Sequence, residues 1–173
     1  MEAMNEDFAK NGQVVYPYYH EREDERGTIY VRQSPLHDSP ANNLCIIYFE
    51  VKEKCSVYIH DIKSPGGVNK GYGSVAMRAL ITHSINKGYL GITGCLSHFD
   101  SGHISRLISF YEKNSFDIKL YSTENSGIIQ LDLTHPTELL ENLTTIPFQE
   151  KIASLEHDSA NESKLLKFLK KYI

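Results

Sequence analysis

The sequence predicts an α/β (α+β) fold in which a mixed β-sheet is flanked by helices. Two observations predict it: runs of branched and aromatic residues alternate with segments of helical periodicity, and breakers containing glycine or proline separate them. The 173 residues suffice for one domain with a substantial core. We therefore expect a single domain over residues 1–173, with its core at about 28–133 and a helical C-terminal extension at 136–173.

Three strands are predicted before the first helix, because their residues are mostly β-branched or aromatic. They cover residues 28–31, 44–51 and 55–62, and a loop at 34–43 separates the first two. Residues 14–19 are interpreted as a short strand or a packed loop.

Two helices follow, at 74–87 and 104–113, with a strand at 89–95 between them. Gly88 is placed to cap the first helix, and Asp100 or Ser101 to begin the second. Two further strands, at 116–121 and 128–133, form a predicted hairpin.

Composition and charge exclude several functional classes. The net charge of −4 and the pI near 6.0 give no support for a nucleic-acid partner, which a basic face would indicate. Cys45, Cys55 and Cys95 form no Cys-x-x-Cys pair, which favours free thiols in a reducing compartment. The acidic N-terminus does not resemble a signal peptide, and no apolar run approaches the roughly 20 residues that cross a bilayer. We expect a cytoplasmic protein with no membrane partner.

A glycine turn, Asn69-Lys-Gly-Tyr-Gly-Ser74, separates a predicted strand from a predicted helix. Its glycines let the backbone approach a ligand, and the unpaired amides at the helix start favour an anion such as a diphosphate. Lys70 precedes the glycines, so the turn is not a nucleotide-triphosphate P-loop, whose lysine follows them. The alternative is a turn that only caps the helix.

The second helix ends in Phe110-Tyr-Glu-Lys-Asn-Ser-Phe116. Taken with the glycine turn, and in this order, that segment resembles the GNAT superfamily of acyl-coenzyme A-dependent N-acetyltransferases. In that family the turn has the form Gln/Arg-x-x-Gly-x-Gly/Ala, and the later segment commonly reads Tyr-Glu-Lys-x-Gly-Phe. The resemblance covers residues 55–116 and implies a mostly antiparallel central sheet.

The resemblance also implies the site residues. The turn would bind the pyrophosphate of acetyl-CoA, the end of the preceding strand would pair with the pantetheine arm, and Tyr111 would act as general acid toward the thiolate. The implied cofactor-binding residues are Ile62, Lys63, Val68, Asn69, Lys70, Gly71, Tyr72, Gly73 and Ser74.

The sequence departs from the family pattern at three positions. Val68 stands at the Gln/Arg position, where Lys70 is a candidate to compensate. Ser115 replaces the usual glycine, and Ile104 stands where many members have an asparagine that contacts pantetheine. Three nearby residues are candidates for that last contact: Ser101, His103 and Ser105.

A base that removes the proton of an amine is less well specified. Glu50, His60 and Asp61 lie on central strands and are candidates, and a water chain to solvent is the alternative. Backbone amides of a splayed or bulged strand near Ile62 are candidates for stabilising the oxyanion. No metal is expected, because the spacing of three nearby residues matches no zinc pattern: His98, Asp100 and His103.

The predicted function is transfer of an acetyl group from acetyl-CoA to a primary amine of a small molecule or peptide. The alternatives are a non-catalytic acyl-CoA-binding module and a globular protein in which these residues only pack. Candidate segments for shaping the acceptor site are 1–26 and 122–126. An amphipathic stripe at 163–173 is expected to dock on the domain, with a homodimer contact as the alternative.

Overall fold

A computed structural model describes residues 1–10, 12–35, 39–97, 102–121, 126–137 and 139–141. The predicted helical stripe at 163–173 lies outside these ranges, and a helical segment begins at 136, as expected. No helix in the described ranges is both long enough and apolar enough to span a bilayer. In chain order the strands and helices are β1 (Glu2–Ala3), β2 (Asp7–Phe8), β3 (Val14–Glu21), β4 (Arg26–Arg32), β5 (Asn43–Lys52), β6 (Ser56–Lys63), α1 (Tyr72–Asn86), β7 (Gly91–Leu96), α2 (Ile104–Lys113), β8 (Asp117–Tyr121) and β9 (Ser126–Asp132).

The strands form one mixed sheet in the order β1-β3-β4-β5-β6-β7-β9-β8, with β2 paired to β3 off this path. Only the β6–β7 pair in the described sheet is parallel, and α1 provides the crossover between these two strands. The other pairs are antiparallel, which confirms the predicted mixed and mostly antiparallel sheet.

The core lies between α1 and one face of the sheet. In β5 every second side chain is buried, and α1 contacts β3, β4, β5 and β7. Val75, Ala76, Leu80 and Ile81 of α1 are fully buried. Because side chains alternate along a strand, the other residues of β5 and β6 project from the opposite face of the sheet.

The structure differs from the sequence-based expectations mainly near the N-terminus. Residues 14–21 form a full strand, and two strands of only two residues each precede it. Helix α1 begins at Tyr72, two residues before the predicted start, and Gly88 follows it with a φ of 75°, as the predicted cap requires.

The N-cap of α2 is His103, which makes no side-chain capping hydrogen bond. The predicted caps Asp100 and Ser101 lie outside the described residues.

Candidate functional site

The glycine turn follows β6 and leads directly into α1. Gly67, Asn69 and Gly71 have positive φ angles of 96°, 61° and 88°, so the turn reverses direction within a few residues. Gly71 is the N-cap of α1, and the first helical hydrogen bond that it accepts comes from Val75, at 3.1 Å. The amides of the first helical turn therefore have no intrahelical acceptor, which suits them to an anionic ligand.

A cavity of about 500 Å³ lies over this turn and against one face of α2. It brings together all the predicted cofactor-binding residues of the turn, together with Ile62 from β6. The lining consists of Lys10, Ile62, Ser64, Gly67, Val68, Asn69, Lys70, Gly71, Tyr72, Gly73, Ser74, Arg106, Leu107, Ser109, Phe110 and Lys113.

Three predicted or candidate contact residues do not line the cavity: Lys63, His103 and Ser105. The Lys63 ammonium lies 3.8 Å from a carboxylate oxygen of Asp61 and 5.3 Å from the ring centre of Tyr48. Ser105 is exposed in the first turn of α2. The residues of α2 that line the cavity are Arg106, Leu107, Ser109, Phe110 and Lys113, and Ser105 is not among them.

The cavity is basic. Among the described residues that line it, four side chains are cationic and none is a carboxylate, although the whole chain carries a net charge of −4. The sequence analysis identified Lys70 but missed the other three cations: Lys10, Arg106 and Lys113. Arg106 and Lys113 are seven residues apart on one helix, and this spacing predicts that they share a helix face.

The N-terminal strap, defined here as residues 7–10, 12 and 13, crosses the glycine turn. The Lys10 amide donates to the carbonyl of Lys70 at 3.2 Å, and the Tyr72 hydroxyl donates to Oε1 of Gln13 at 2.8 Å. A Cβ atom at Gly71 would lie 2.4 Å from the Lys10 nitrogen. The strap and the turn therefore touch backbone to backbone, and only glycine permits this approach at position 71.

The two parallel strands separate beside the cavity. Pairing of β6 with β7 runs from Ser56–Gly91 to Ile59–Gly94 and ends there, although β6 continues to Lys63. On the other edge of β6, Tyr48 pairs with Asp61 and Phe49 with Ile59, so His60 is the extra residue of a β-bulge. A splayed or bulged strand was expected near Ile62; the structure has both features, two or three residues before it.

Tyr111 lies behind the cavity wall. Its side chain is 5% exposed, and its ring meets the rings of Phe110 and Phe116 edge-on at 5.1 and 5.4 Å. Phe110 lines the cavity, whereas Tyr111 is not part of the lining. The assignment of Tyr111 as general acid stays a prediction.

His60 and Asp61 lie on the sheet face opposite α1, and both are exposed. Nε2 of His60 lies 3.0 Å from Oε2 of Glu50, and the Lys52 ammonium lies 2.7 Å from the same oxygen. Hydrogen bonds from Lys52 and His60 lower the pKa of Glu50. This charged cluster begins where the β6–β7 ladder ends, so the candidate bases border the splay without lining the cavity.

The structure adds one neighbour to this cluster. The ring of Tyr58 lies 5.1 Å from the ring of His60, and a hydrogen bond between the Tyr58 and Cys95 side chains raises the pKa of Tyr58. Within the described ranges, no group of three or more His, Cys, Asp or Glu side chains is arranged to hold a metal ion. His98 and Asp100 of the spacing considered above lie outside those ranges.

Comparison with known proteins agrees with this arrangement at the level of the fold. No protein-family model matches the sequence. The uncharacterized protein YocC of Bacillus subtilis (strain 168) is 34% identical over 79 residues, which is 45% of this chain. That match spans 47% of the length of YocC.

Several solved structures share the architecture. The GNAT domain of S. lividans PAT superposes with a TM-score of 0.57 at 6% identity, over 75% of this chain and 96% of that domain. The cAMP-binding acyltransferase from Mycobacterium smegmatis gives 0.56 at 9% identity, over 88% and 56% of the two chains. The N-acetyltransferase PseH from Campylobacter jejuni gives 0.50 at 14% identity, over 65% and 71%.

Proposed function

We propose, on the premise that the chain has a GNAT-like fold, that it transfers an acetyl group from acetyl-CoA to a primary amine of a small molecule or peptide. The observation that carries the proposal is the basic cavity over the glycine turn, where helix amides and cations surround a space suited to a diphosphate. Acetyl-CoA is the acyl donor in this proposal, and no metal takes part.

The splay between β6 and β7 supports the path of the pantetheine arm. Beyond Ile59, the edge of β6 that faced β7 leaves the described ladder, and Ile62 on the same strand lines the cavity. In the proposal, that edge and Lys63 at its end hold pantetheine through backbone hydrogen bonds. The thioester then lies near the bulge at His60, where backbone amides act as donors to the oxyanion.

The chemical step is attack of the amine nitrogen on the thioester carbonyl, followed by cleavage of the carbon–sulfur bond. The products are an N-acetyl amine and the CoA thiolate. Holding both reactants in position contributes several kcal/mol by itself, about 7–11 kcal/mol in well-oriented systems. His60 and Asp61 are the candidates to accept the amine proton, and Tyr111 is the candidate to protonate the thiolate.

A direct test measures release of free thiol from acetyl-CoA in the presence of amines. The panel contains polyamines, aminoglycosides, amino acids and peptides with free N-termini. The proposal predicts thiol release with at least one of them, above the rate without amine. It also predicts that CoA at 100 times its dissociation constant raises the free energy of unfolding by about 2.7 kcal/mol. The absence of any such stabilisation would contradict the proposal.

Two substitutions distinguish between the candidate bases. His60→Gln and Asp61→Asn each remove one proton acceptor, and loss of a general base lowers kcat by about 10²–10⁴-fold. His135→Gln is the matched control, because His135 is exposed after the last strand. If both variants keep the activity of the wild type, proton removal is assigned to solvent.

A second candidate function is a non-catalytic acyl-CoA-binding module. The observation that favours it is the position of Tyr111, which is buried behind Phe110 and not in the cavity wall. Tight CoA binding without thiol release for any amine in the panel would select this alternative.

A further inference from the structure

Lys63 is the last residue of β6, and its side chain is folded back along the strand. Its Cα atom lies two residues, and therefore about 7 Å, beyond that of Asp61. Its ammonium nevertheless lies 3.8 Å from Oδ2 of Asp61 and 5.3 Å from the ring centre of Tyr48. Tyr48 and Asp61 are direct partners in the β5–β6 ladder, so the ring and the carboxylate approach the same ammonium. The amine is therefore held next to the bulge at His60 and not beyond the end of the strand.

The same ammonium is accessible and loosely held. The side chains of Lys63 and Asp61 are 60% and 53% exposed, and their separation of 3.8 Å is longer than a hydrogen bond. Exposed ion pairs of this kind are weak, so little free energy opposes movement of the lysine side chain. Because Asp61 is also a candidate base, a primary amine and a proton acceptor for it lie together at this end of β6.

Lys52 on the neighbouring strand provides a comparison. Its ammonium lies 2.7 Å from Oε2 of Glu50, and the hydrogen bond from it lowers the pKa of that carboxyl. Such a short, charge-assisted contact restrains the ammonium far more than a contact of 3.8 Å does. Of the two lysines that lie beside a candidate base, Lys63 is therefore the one whose amine moves and reacts more freely.

The acyl donor of the proposed function approaches the same stretch of β6. Pairing with β7 ends at Ile59, and Ile62, the neighbour of Lys63, lines the cavity. In the proposed function the pantetheine arm follows this edge through backbone hydrogen bonds and brings the thioester to the bulge at His60. Backbone pairing at Lys63 leaves its side chain available on the face of the sheet opposite α1, which Asp61 shares.

We propose that Lys63 is an acetylation site of this chain, modified by the acetyl-CoA bound to the same molecule. This inference rests on the proposed function, and it names a primary amine that the chain itself supplies. Asp61 accepts one proton from the ammonium, and the nitrogen lone pair then forms a bond to the thioester carbonyl carbon. The carbon–sulfur bond breaks with its electron pair on sulfur, the nitrogen loses its second proton as the amide forms, and the thiolate takes up one proton. The net products are an acetylated lysine at position 63, CoA thiol and one proton released to solvent.

The test is incubation of the full chain with acetyl-CoA, followed over time by intact mass measurement and peptide mapping. Lys63 should gain one acetyl group at least about tenfold faster than Lys119, an exposed lysine of β8, because reactants held in one molecule react faster than those that meet by diffusion. Lys52 should also be modified more slowly. The rate constant at Lys63 should not depend on protein concentration.

Two substitutions test the residues assigned to this step. Lys63→Arg keeps a positive charge beside Asp61 and should abolish the fast modification. Asp61→Asn removes the proton acceptor, keeps the size of the side chain and should slow the modification of Lys63 about tenfold or more. Asp24→Asn is the matched control, because Asp24 also belongs to an exposed ion pair and its side chain is 54% exposed.

The outcomes separate this inference from the proposed function. Thiol release with an external amine, while Lys63 stays unmodified, overturns the acetylation site and leaves the proposed function intact. Equal rates at Lys63 and Lys119, or an unchanged rate at Lys63 in protein unfolded by urea, identify uncatalysed acetylation and overturn the inference. A rate constant that rises with protein concentration overturns transfer within one molecule, and an unchanged rate in Asp61→Asn overturns the assignment of the base. If acetyl-CoA gives neither modification nor thiol release and does not stabilise the fold, the proposed function fails as well. Thermal denaturation of each variant shows that a change in rate does not come from unfolding.

Discussion

Arg78 of α1 donates from Nε to Oδ2 of Asp7 at 2.9 Å and from Nη2 to the carbonyl of Phe8 at 3.4 Å. Asp7 and Arg78 are 71 residues apart in sequence. This partly buried pair joins the N-terminal strap to the helix whose first turn borders the cavity. The strap therefore belongs to the same structural unit as the candidate ligand site.

Asp7→Asn should destabilise the protein and weaken CoA binding. The neutral amide leaves the guanidinium of Arg78 buried without a charged partner, and loss of such a hydrogen bond costs about 1–3 kcal/mol. Urea denaturation measures the stability change, and titration with CoA measures the affinity. Asp24→Asn is the control, because the Asp24–Arg26 pair has side chains that are 54% and 67% exposed. That control should change stability by less than about 0.5 kcal/mol. Equal effects of both substitutions would contradict a special role for the strap anchor.

Gly71→Ala should displace the strap and reduce CoA affinity by about tenfold or more. Two causes act together: a positive φ of 88°, which costs about 1–2 kcal/mol for a residue with a Cβ atom, and a contact of 2.4 Å with the Lys10 nitrogen. Gly88→Ala separates these causes, because Gly88 has a φ of 75° but no atom within 4 Å of a Cβ there. Titration with CoA should show a loss only for the substitution at position 71.

Tyr111→Phe tests the assignment of the general acid. The substitution keeps the ring contacts with Phe110 and Phe116 and removes the hydroxyl alone. A proton donor to the thiolate predicts a fall in kcat of about 10²–10⁴-fold with little change in KM for acetyl-CoA. Tyr121→Phe, at an exposed position in β8, should leave both constants unchanged. An unchanged kcat in the first variant would assign Tyr111 to packing.

His83 should make folding stability depend on pH. It is buried, its Nε2 has no hydrogen-bond partner among the described residues, and burial lowers its pKa below the usual 6.5. The charges near it oppose one another: Glu21 and Glu2 raise the pKa, whereas Lys87 lowers it.

The sign of this dependence follows from the lowered pKa. The unfolded chain binds a proton at position 83 more readily than the fold does, so stability is full above pH 6.5 and decreases as the pH falls below it. Melting temperatures between pH 5.5 and 7.5 measure the effect. His83→Leu should flatten the curve in this window, and an unchanged slope would exclude His83 as its source.

Local sequence patterns predicted the elements that carry strong periodicity. Helix α2 begins and ends at the predicted residues, because Ile104, Leu107, Ile108 and Tyr111 repeat at helical spacing. Strand β5 was predicted within one residue at each end from its many branched and aromatic residues. Strands β1 and β2 were not predicted, since two residues show no period and exist as strands only through pairing with β3.

The position of the glycine turn was likewise predicted, because glycine spacing before a helix is a local signal, and its role as a ligand loop stays a prediction. The residues on the other side of the cavity could not be predicted from local sequence patterns. Lys10 and Arg106 lie almost a hundred residues apart in sequence, and their shared cavity arises only when the strap crosses the turn and α2 packs beside it.

The amino-acid sequence on its own determined where the chain forms α1, α2 and β5 and where it turns at Gly71, because these depend on neighbouring residues. Only the tertiary structure decided that Tyr111 packs against Phe110, that His60 forms a bulge, and that four cations line one cavity. Those relationships depend on strand register and on contacts between distant segments. Backbone pairing and packing of the whole domain set such contacts, and no local pattern encodes them.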